Sequence, residues 1–185
     1  MGQFGFYFDM NKCSGCKCCM VACMDENNSE PGYQLRKVTA FEGGVFPAVW
    51  AASLSIACNH CAKPACVENC PTGSLAKDED TGLVLHNDAT CIGCGTCANS
   101  CPYGAPVVVE SLGVAKKCDG CRDLREIGEV PACVAACSTR CLDFGELEAL
   151  KAKYGSAQLT SGLSVLPSPS DTEPSLLINP KAELA

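Results

Sequence analysis

Four runs of cysteine constrain this chain more than any other feature of its sequence. They contain sixteen of the 18 cysteines in 185 residues. The first and third runs have the spacing C-x2-C-x2-C-x3-C, the second has C-x2-C-x4-C-x3-C, and the fourth has C-x2-C-x11-C-x3-C. The runs are Cys13, Cys16, Cys19 and Cys23; Cys58, Cys61, Cys66 and Cys70; Cys91, Cys94, Cys97 and Cys101; and Cys118, Cys121, Cys133 and Cys137. Any fold of this chain must gather thiols at several separate points.

The remaining composition leaves little else to hold a core together. Apolar residues make up 47% of the chain, but this figure includes the cysteines, and there are only six Phe, four Tyr and one Trp. Zinc, disulfides or iron–sulfur clusters could each supply the missing stability. The N-terminal segment shows no basic region followed by an apolar stretch of signal-peptide length, so an exported, disulfide-linked chain is disfavoured. The net charge of −7 and the absence of a basic stripe exclude nucleic acid as an expected partner.

The spacing of the runs favours clusters over zinc. A structural zinc site usually combines two separated C-x2-C pairs. A third cysteine three residues after the second suits a wider object, as in the bacterial ferredoxin run, where the fourth cysteine ligates the other cluster. Gly15, Gly93, Gly95 and Gly120 allow the backbone to lie close to such a cluster. We therefore expect four [4Fe–4S] clusters, with a zinc protein and a disulfide scaffold as the alternatives.

The crossed fourth ligand predicts which cysteines share a cluster. The second and third runs are neighbours in sequence and should exchange their last cysteines, and the first and fourth runs then pair by elimination. The expected ligand sets are Cys58, Cys61, Cys66 with Cys101; Cys91, Cys94, Cys97 with Cys70; Cys13, Cys16, Cys19 with Cys137; and Cys118, Cys121, Cys133 with Cys23.

Two cysteines are left over and make two assignments ambiguous. Cys18 adjoins Cys19, and Cys141 continues the even spacing of Cys133 and Cys137. The match to the third run favours Cys19 as the ligand. We expect both spare cysteines to be small buried residues rather than ligands.

The pairing predicts an α+β fold with two ferredoxin-like modules, each holding two [4Fe–4S] clusters. Residues 51–104 should form the inner module, and residues 1–50 together with 105–150 the outer one. Strands are expected at Gly5–Met10, in short hairpins and after Cys141, with short helices following the cysteine runs and a helix over 145–155. The hairpin over 33–49 should turn at Gly43 and Gly44.

Residues 151–185 are expected to form an extended C-terminal tail. Ser, Pro and Leu dominate from Ser156 onward without periodicity. The apolar residues of LPSPS and EPSLLINP suggest that this tail lies on a partner, and a disordered tail is the alternative.

No group in the sequence predicts bond chemistry by this chain itself, because no nucleophile–base pair or open coordination site is evident. His60 lies inside a C-x2-C pair, where it could tune a cluster or simply fill the loop, and His86 is expected to pack on a hairpin. A larger set of cations lies near the cysteines and would either raise cluster potentials or be solvated: Lys12, Lys17, Arg122 and Arg140.

Several segments resemble the iron–sulfur (beta) subunit of the dimethyl sulfoxide reductase family of molybdopterin oxidoreductases. They are ACNHCAKPACVENCPTG, CIGCGTCANSCPYGAP, KKCDGC and VPACVAAC followed by LDFG. The family includes the corresponding subunits of polysulfide and thiosulfate reductases, formate dehydrogenases and catechol dehydroxylases. Cys94 is present, so the resemblance implies four-iron clusters throughout. Met24 and Ser138 depart from the Pro that follows the last cysteine in the middle runs, and Cys141 is commonly Ala in relatives.

The resemblance implies a non-catalytic wire that carries electrons to or from a large catalytic subunit. That partner would hold molybdopterin guanine dinucleotide, and a membrane quinol-oxidising subunit or a soluble donor would complete the complex. The chain would then be peripheral to either face of the cytoplasmic membrane through its partners, or part of a soluble cytoplasmic complex, with no transmembrane segment of its own. A stand-alone polyferredoxin that shuttles electrons between enzymes is the alternative function.

Overall fold

The computed structural model describes residues 2–185, so Met1, at the expected start of the outer module, lies outside the described residues. Within that range the strands are β1 (Phe4–Asp9), β2 (Lys37–Val45), β3 (Ala48–Ile56), β4 (Leu75–Lys77), β5 (Val84–His86), β6 (Val107–Val109), β7 (Val114–Lys116), β8 (Leu142–Glu146) and β9 (Leu176–Asn179). The α-helices there are α1 (Cys18–Glu26), α2 (Ala65–Glu68), α3 (Thr96–Ser100), α4 (Arg122–Glu126), α5 (Ala132–Ala135), α6 (Leu147–Tyr154) and α7 (Pro169–Thr172). The fold is mixed α+β with small sheets and short helices, as predicted.

The largest sheet has three strands in the order β8-β1-β9. Strand β1 lies in the middle, antiparallel to β8 with Phe6 opposite Phe144, and parallel to β9 with Phe8 opposite Ile178. Alternating aromatic residues make β1 a strong strand former, and both neighbours keep it buried. Because β1 ends at Asp9, this sheet fixes the point from which the chain enters the first cysteine run.

The C-terminal tail differs from its predicted position on a partner. Its segment LLIN forms β9 on the edge of β1, and Leu176, Leu177 and Ile178 are buried there. Thr160 also exchanges backbone hydrogen bonds with Ile178, at 2.9 and 2.7 Å. The apolar residues of the tail therefore cover this chain's own sheet, which local sequence could not reveal because the strand that pairs with them lies about 170 residues earlier.

The hairpin β2–β3 forms further along the chain than the predicted range of 33–49, over residues 37–56, and turns at a different place. Val45 pairs with Ala48, so Phe46 and Pro47 form the turn rather than Gly43 and Gly44. Proline suits the turn because it cannot donate a hydrogen bond to the strand ladder. Gly43 instead lies opposite Trp50, where a Cβ atom would lie 2.7 Å from the indole ring.

The other predicted elements are confirmed. The pairs β4–β5 and β6–β7 are antiparallel hairpins. Helices α1, α2 and α3 each carry a cysteine of the run in which they lie, and α6 ends at Gly155 as expected. These short elements place their cysteines around the interior: the main core cluster combines residues of β1 and β8 with buried cysteines of three runs. Across residues 2–185, no helix has both the length and the apolar character needed to cross a membrane.

Candidate iron–sulfur sites

Four thiols from the second and third runs line one cavity. Its walls also include Pro64, Tyr103 and Pro106. The cysteines are Cys58, Cys61, Cys66 and Cys101. Cys101 belongs to the third run and the other three belong to the second, so this cavity combines cysteines of two runs.

A second cavity is lined by the complementary set from the same two runs. Its cysteines are Cys70, Cys91, Cys94 and Cys97. Cys94 is exposed and Ile92 beside it is 64% exposed, so this cavity lies close to the surface.

Cysteines from the first and fourth runs line a third cavity. They are Cys13, Cys16, Cys19 and Cys137, with Cys141 as a fifth. Phe8 of β1 and Val38 of β2 complete the wall, so the sheet and the long hairpin both shape it. Cys16 is exposed, which brings this group near the surface as well.

The remaining thiols from these two runs interact with one another in the interior. Helix α1, which carries Cys23, packs against α5, which carries Cys133. Burial raises the pKa of Cys23 to about 12, and the neighbouring charges of Cys133 and Cys121 add to that rise. Burial likewise raises the pKa of Cys118 well above its usual value, with Cys133 and Cys23 among its neighbours. These four cysteines are therefore mutual neighbours, although their ligation of a cluster stays a prediction, as it does for the other three groups.

One backbone device repeats in all four runs. The residue before the second cysteine has a positive φ in every case: Gly15 (71°), His60 (45°), Gly93 (65°) and Gly120 (74°). This conformation favours glycine. At Gly93 a side chain is also excluded by contact, because a Cβ atom would lie 2.4 Å from the carbonyl oxygen of Gly113. The four runs, despite their different spacings, therefore share one backbone turn before the second cysteine. This turn directs successive cysteines of a run to a common point.

Hydrogen-bond donors are aimed at several cysteine sulfurs. The backbone N–H of Gly120 donates to Cys118 Sγ and that of Ala115 to Cys91 Sγ, both at 3.4 Å. The Thr96 hydroxyl lies 3.3 Å from Cys94 Sγ and lowers the pKa of that thiol. Donors of this kind favour thiolate ligands and help to set the potential of an iron–sulfur cluster.

The buried thiols fit a cationic inorganic core. Burial raises the pKa of Cys66 to about 12 and that of Cys61 to about 11, so these groups would stay neutral without a metal. Metal binding deprotonates coordinating thiols outright and offsets the cost of the buried charge. Among residues 2–185, no three His, Cys, Asp or Glu side chains converge closely enough to hold a single ion. Cavities with four thiols on their walls supply the donor set of an iron–sulfur cluster.

The two spare cysteines lie in different environments. Cys18 is exposed at the start of α1, which contradicts its expected burial. Cys141 is buried as expected, but it also lines the third cavity, with its sulfur 3.4 Å from Cys137 Sγ. Its hydrogen bond to Cys13 raises the pKa of Cys141 and lowers that of Cys13 to about 7. Cys141 is thus a neutral thiol beside two expected ligands.

Adjacent substitutions separate Cys18 from Cys19. We expect Cys18→Ala to retain all iron, because the residue is exposed and does not line the cavity. Cys19→Ala should lose about one quarter of the iron, as expected when one of four clusters loses a ligand. Iron and acid-labile sulfide per chain, measured on anaerobically purified protein, would check this, and equal loss from both variants would reverse the assignment.

Sequence reasoning undervalued two interior side chains. His60 is fully buried, and its Nδ1 accepts a hydrogen bond from the backbone N–H of Val84 at 3.1 Å. Its Nε2 has no hydrogen-bond partner among the described residues. Arg36 is also fully buried, although its sequence context, QLRKV, reads as an ordinary polar strand. The cations noted from sequence are exposed or pair locally, as Arg122 does with Glu126 at 2.8 Å.

Comparison with known proteins identifies the family to which this chain belongs. Residues 49–147 match a family model described as a 4Fe-4S dicluster domain. The protein is 40% identical to the B subunit of anaerobic dimethyl sulfoxide reductase of Escherichia coli (strain K12), over 97% of this chain and 90% of the relative. It is 39% identical to the corresponding B subunit of Haemophilus influenzae over the same shares. Protein NrfC of Escherichia coli is 36% identical over 79% of this chain and 66% of its own length. The chain therefore belongs to the iron–sulfur subunits of the dimethyl sulfoxide reductase family, which are electron-transfer subunits of oxidoreductases with [4Fe–4S] clusters.

Proposed function

We propose that this chain holds four [4Fe–4S] clusters and relays electrons to or from a large molybdopterin catalytic subunit. The observation that carries the proposal is that twelve cysteines of the four runs line three cavities in groups of four, and that the remaining four lie near one another. Each group contains three cysteines of one run and one of another. The ligand sets are those expected from the crossed pattern: Cys13, Cys16, Cys19 and Cys137; Cys118, Cys121, Cys133 and Cys23; Cys58, Cys61, Cys66 and Cys101; and Cys91, Cys94, Cys97 and Cys70.

These sets divide the chain into two modules. Residues 51–104 would form the inner module, residues 1–50 with 105–150 the outer one, and residues 151–185 a tail that completes the outer sheet through β9. Contacts between α2 and α3 support the inner unit, and contacts between α1 and α5 support the outer one. Each module would then be one ferredoxin-like unit with two clusters.

The protein's own residues supply what an electron relay needs. A [4Fe–4S] cluster, when bound, supplies reversible one-electron chemistry. Cysteine thiolates hold each site, backbone N–H groups such as that of Gly120 polarise the sulfurs, and buried side chains exclude water. The groups with an exposed cysteine, Cys16 in the outer module and Cys94 in the inner, provide one point of entry and one of exit.

An exposed apolar surface supports a permanent partner. The tip of the β2–β3 hairpin presents Val45, Phe46 and Val49, and Phe46 is 86% exposed. Contiguous exposed apolar side chains commonly mark protein–protein interfaces. The names of the relatives describe lettered subunits of a reductase. We assign the partner as a subunit holding molybdopterin guanine dinucleotide, joined by a membrane quinol-oxidising anchor or a soluble donor. The chain would then lie on one face of the cytoplasmic membrane through these partners, or in a soluble complex.

Mild anaerobic purification from the native host tests this function. The expected result is a brown complex with a large partner chain, molybdenum or tungsten, and about sixteen iron atoms on this chain, from four clusters of four. A brown chain that purifies alone, with full iron but no molybdenum or tungsten, would instead identify a stand-alone polyferredoxin. A colourless zinc-containing chain would contradict the cluster assignment itself.

A further inference from the structure

Arg36 is a buried cation without a carboxylate partner among the described residues. Only 1% of its surface is exposed. The ion pairs of the described residues all involve other side chains. Its Nη1 donates a hydrogen bond to Ser55 Oγ at 3.1 Å and lies 3.4 Å from the Ser55 carbonyl oxygen, while its Nε and Nη2 have no partner there. Burying a charge in this way is costly unless another negative group compensates it.

The groups that surround Arg36 are cysteines of both outer ligand sets. Burial lowers the pKa of the guanidinium, whereas the thiolate forms of the nearby Cys133, Cys118, Cys19 and Cys23 raise it. Cys19 belongs to the set of the third cavity, and the other three belong to the fourth set. Arg36 is therefore near both proposed outer clusters, and a guanidinium remains protonated at all physiological pH values.

Ser55 connects Arg36 to one of the ligands. Its hydroxyl oxygen accepts the hydrogen bond from Arg36 and lies 3.4 Å from Cys19 Sγ. Because the oxygen accepts from the guanidinium, the hydroxyl hydrogen is free to be donated to the Cys19 sulfur. The Phe6 ring, whose centroid lies 4.5 Å from the guanidinium carbon, also holds the group by a cation–π contact.

We propose that Arg36 raises the reduction potentials of both outer clusters by holding a fixed positive charge between them. The inference rests on the proposed function, because it requires both clusters. Reduction adds one negative charge to a cluster, and a nearby cation in a medium of low dielectric constant stabilises the reduced form more than the oxidised form. The same charge reduces the repulsion between the two clusters when both are reduced. The unpartnered Nε and Nη2 groups supply N–H donors for this interaction.

Substitutions that keep or remove the charge test the proposal in the intact complex. Arg36→Gln removes the charge, Arg36→Lys keeps it, and Lys37→Gln removes the same charge from the exposed neighbouring residue. Redox titration followed by electron paramagnetic resonance gives the potentials of the four clusters. In Arg36→Gln, two of the four reduction equilibrium constants should fall about tenfold, which is about 59 mV for a one-electron couple. Arg36→Lys should stay within about threefold of wild type, and Lys37→Gln should match wild type because solvent screens its charge.

Each remaining outcome has a definite meaning. If Arg36→Gln loses two clusters but Arg36→Lys keeps four at near wild-type potentials, the charge is required and the proposal stands. The proposal is overturned if both variants keep wild-type potentials, if Arg36→Lys lowers the potentials as much as Arg36→Gln does, or if both variants lose clusters. Arg36 would then act through packing or through the planar geometry of its guanidinium group. The iron and sulfide content of the wild-type chain distinguishes failure of this proposal from failure of the proposed function. If the proposed function is wrong, the wild-type chain will contain fewer than four clusters before any substitution.

Discussion

Replacing Cys137 with serine is expected to remove the cluster assigned to Cys13, Cys16 and Cys19 and to leave the cluster of Cys118 and Cys121 in place. Cys137 lines the cavity formed by the first run, whereas Cys133, which belongs to the same run as Cys137, interacts with the thiols of Cys23, Cys118 and Cys121. Serine is a poor substitute because its hydroxyl is far harder to deprotonate than a thiol. One of the four clusters should be lost, and with it about one quarter of the iron.

The iron content alone does not distinguish the crossed from the uncrossed assignment of the fourth ligands. The two assignments differ in which cluster signal disappears from the electron paramagnetic resonance spectrum. Cys137→Ser should abolish the same resonance signal as Cys13→Ser, and Cys23→Ser the same signal as Cys118→Ser. Cys141→Ala is the matched control, because its thiol lies beside Cys137 in the same cavity but is assigned no iron. That control should keep all four signals. If Cys137→Ser instead removes the signal lost in Cys118→Ser, the ligands do not cross and the module boundaries are wrong.

A relay with one missing cluster should also stop functioning as a wire. Electron transfer through the complex depends on every step between donor and catalytic subunit. Cys137→Ser should therefore suppress turnover with the physiological donor, while an artificial donor that reduces the catalytic subunit directly should retain activity. This contrast separates a broken relay from a misassembled complex.

The cysteine runs revealed much of the local structure because their spacing is a direct geometric requirement. Three thiolates must reach one object from a short loop, and this forces the positive φ seen at Gly15, Gly93 and Gly120. His60 occupies the same position without being glycine, so composition alone could not identify it as part of the repeat. Its buried imidazole bonds to Val84, a residue 24 positions later in the chain. Such a contact between distant segments leaves no signal in the local spacing.

Elements defined by contacts between distant segments are the ones that sequence reasoning misplaces. Glycines favour turns, which predicts the β2–β3 turn at Gly43 and Gly44, but Gly43 is needed opposite Trp50. The sequence analysis assigns no role to Arg36, since nothing near it in sequence shows that cysteines of two groups lie close to it. The C-terminal tail reads as partner-bound, since its own strand partner, β1, lies at the other end of the chain. In each case the deciding factor is tertiary packing rather than local propensity.

The tail should therefore be essential for retaining the cluster of the third cavity. Ile178 is 0% exposed and pairs with Phe8, and Phe8 forms part of the wall around Cys13 and Cys137. Ile178→Asp would place a carboxylate in this apolar contact, at a cost of several kcal/mol for an unpaired buried charge. Strand β9 should detach and expose one edge of β1. The cavity wall behind Phe8 would then loosen and admit water and oxygen.

Two measurements would reveal that loss. The apparent melting temperature of Ile178→Asp, followed anaerobically by circular dichroism at a fixed scan rate, should fall by about 4 °C or more, since about 2 kcal/mol already shifts a domain of this size by that amount. Its visible absorption should also bleach faster in air than that of wild type. Val165→Asp adds the same charge to the same tail at a residue that is 39% exposed, so it should behave like wild type. If Ile178→Asp melts and bleaches like the wild type, the sheet holds the first cysteine run without β9, and β9 contributes nothing to the site. The tail would then be free to bind a partner.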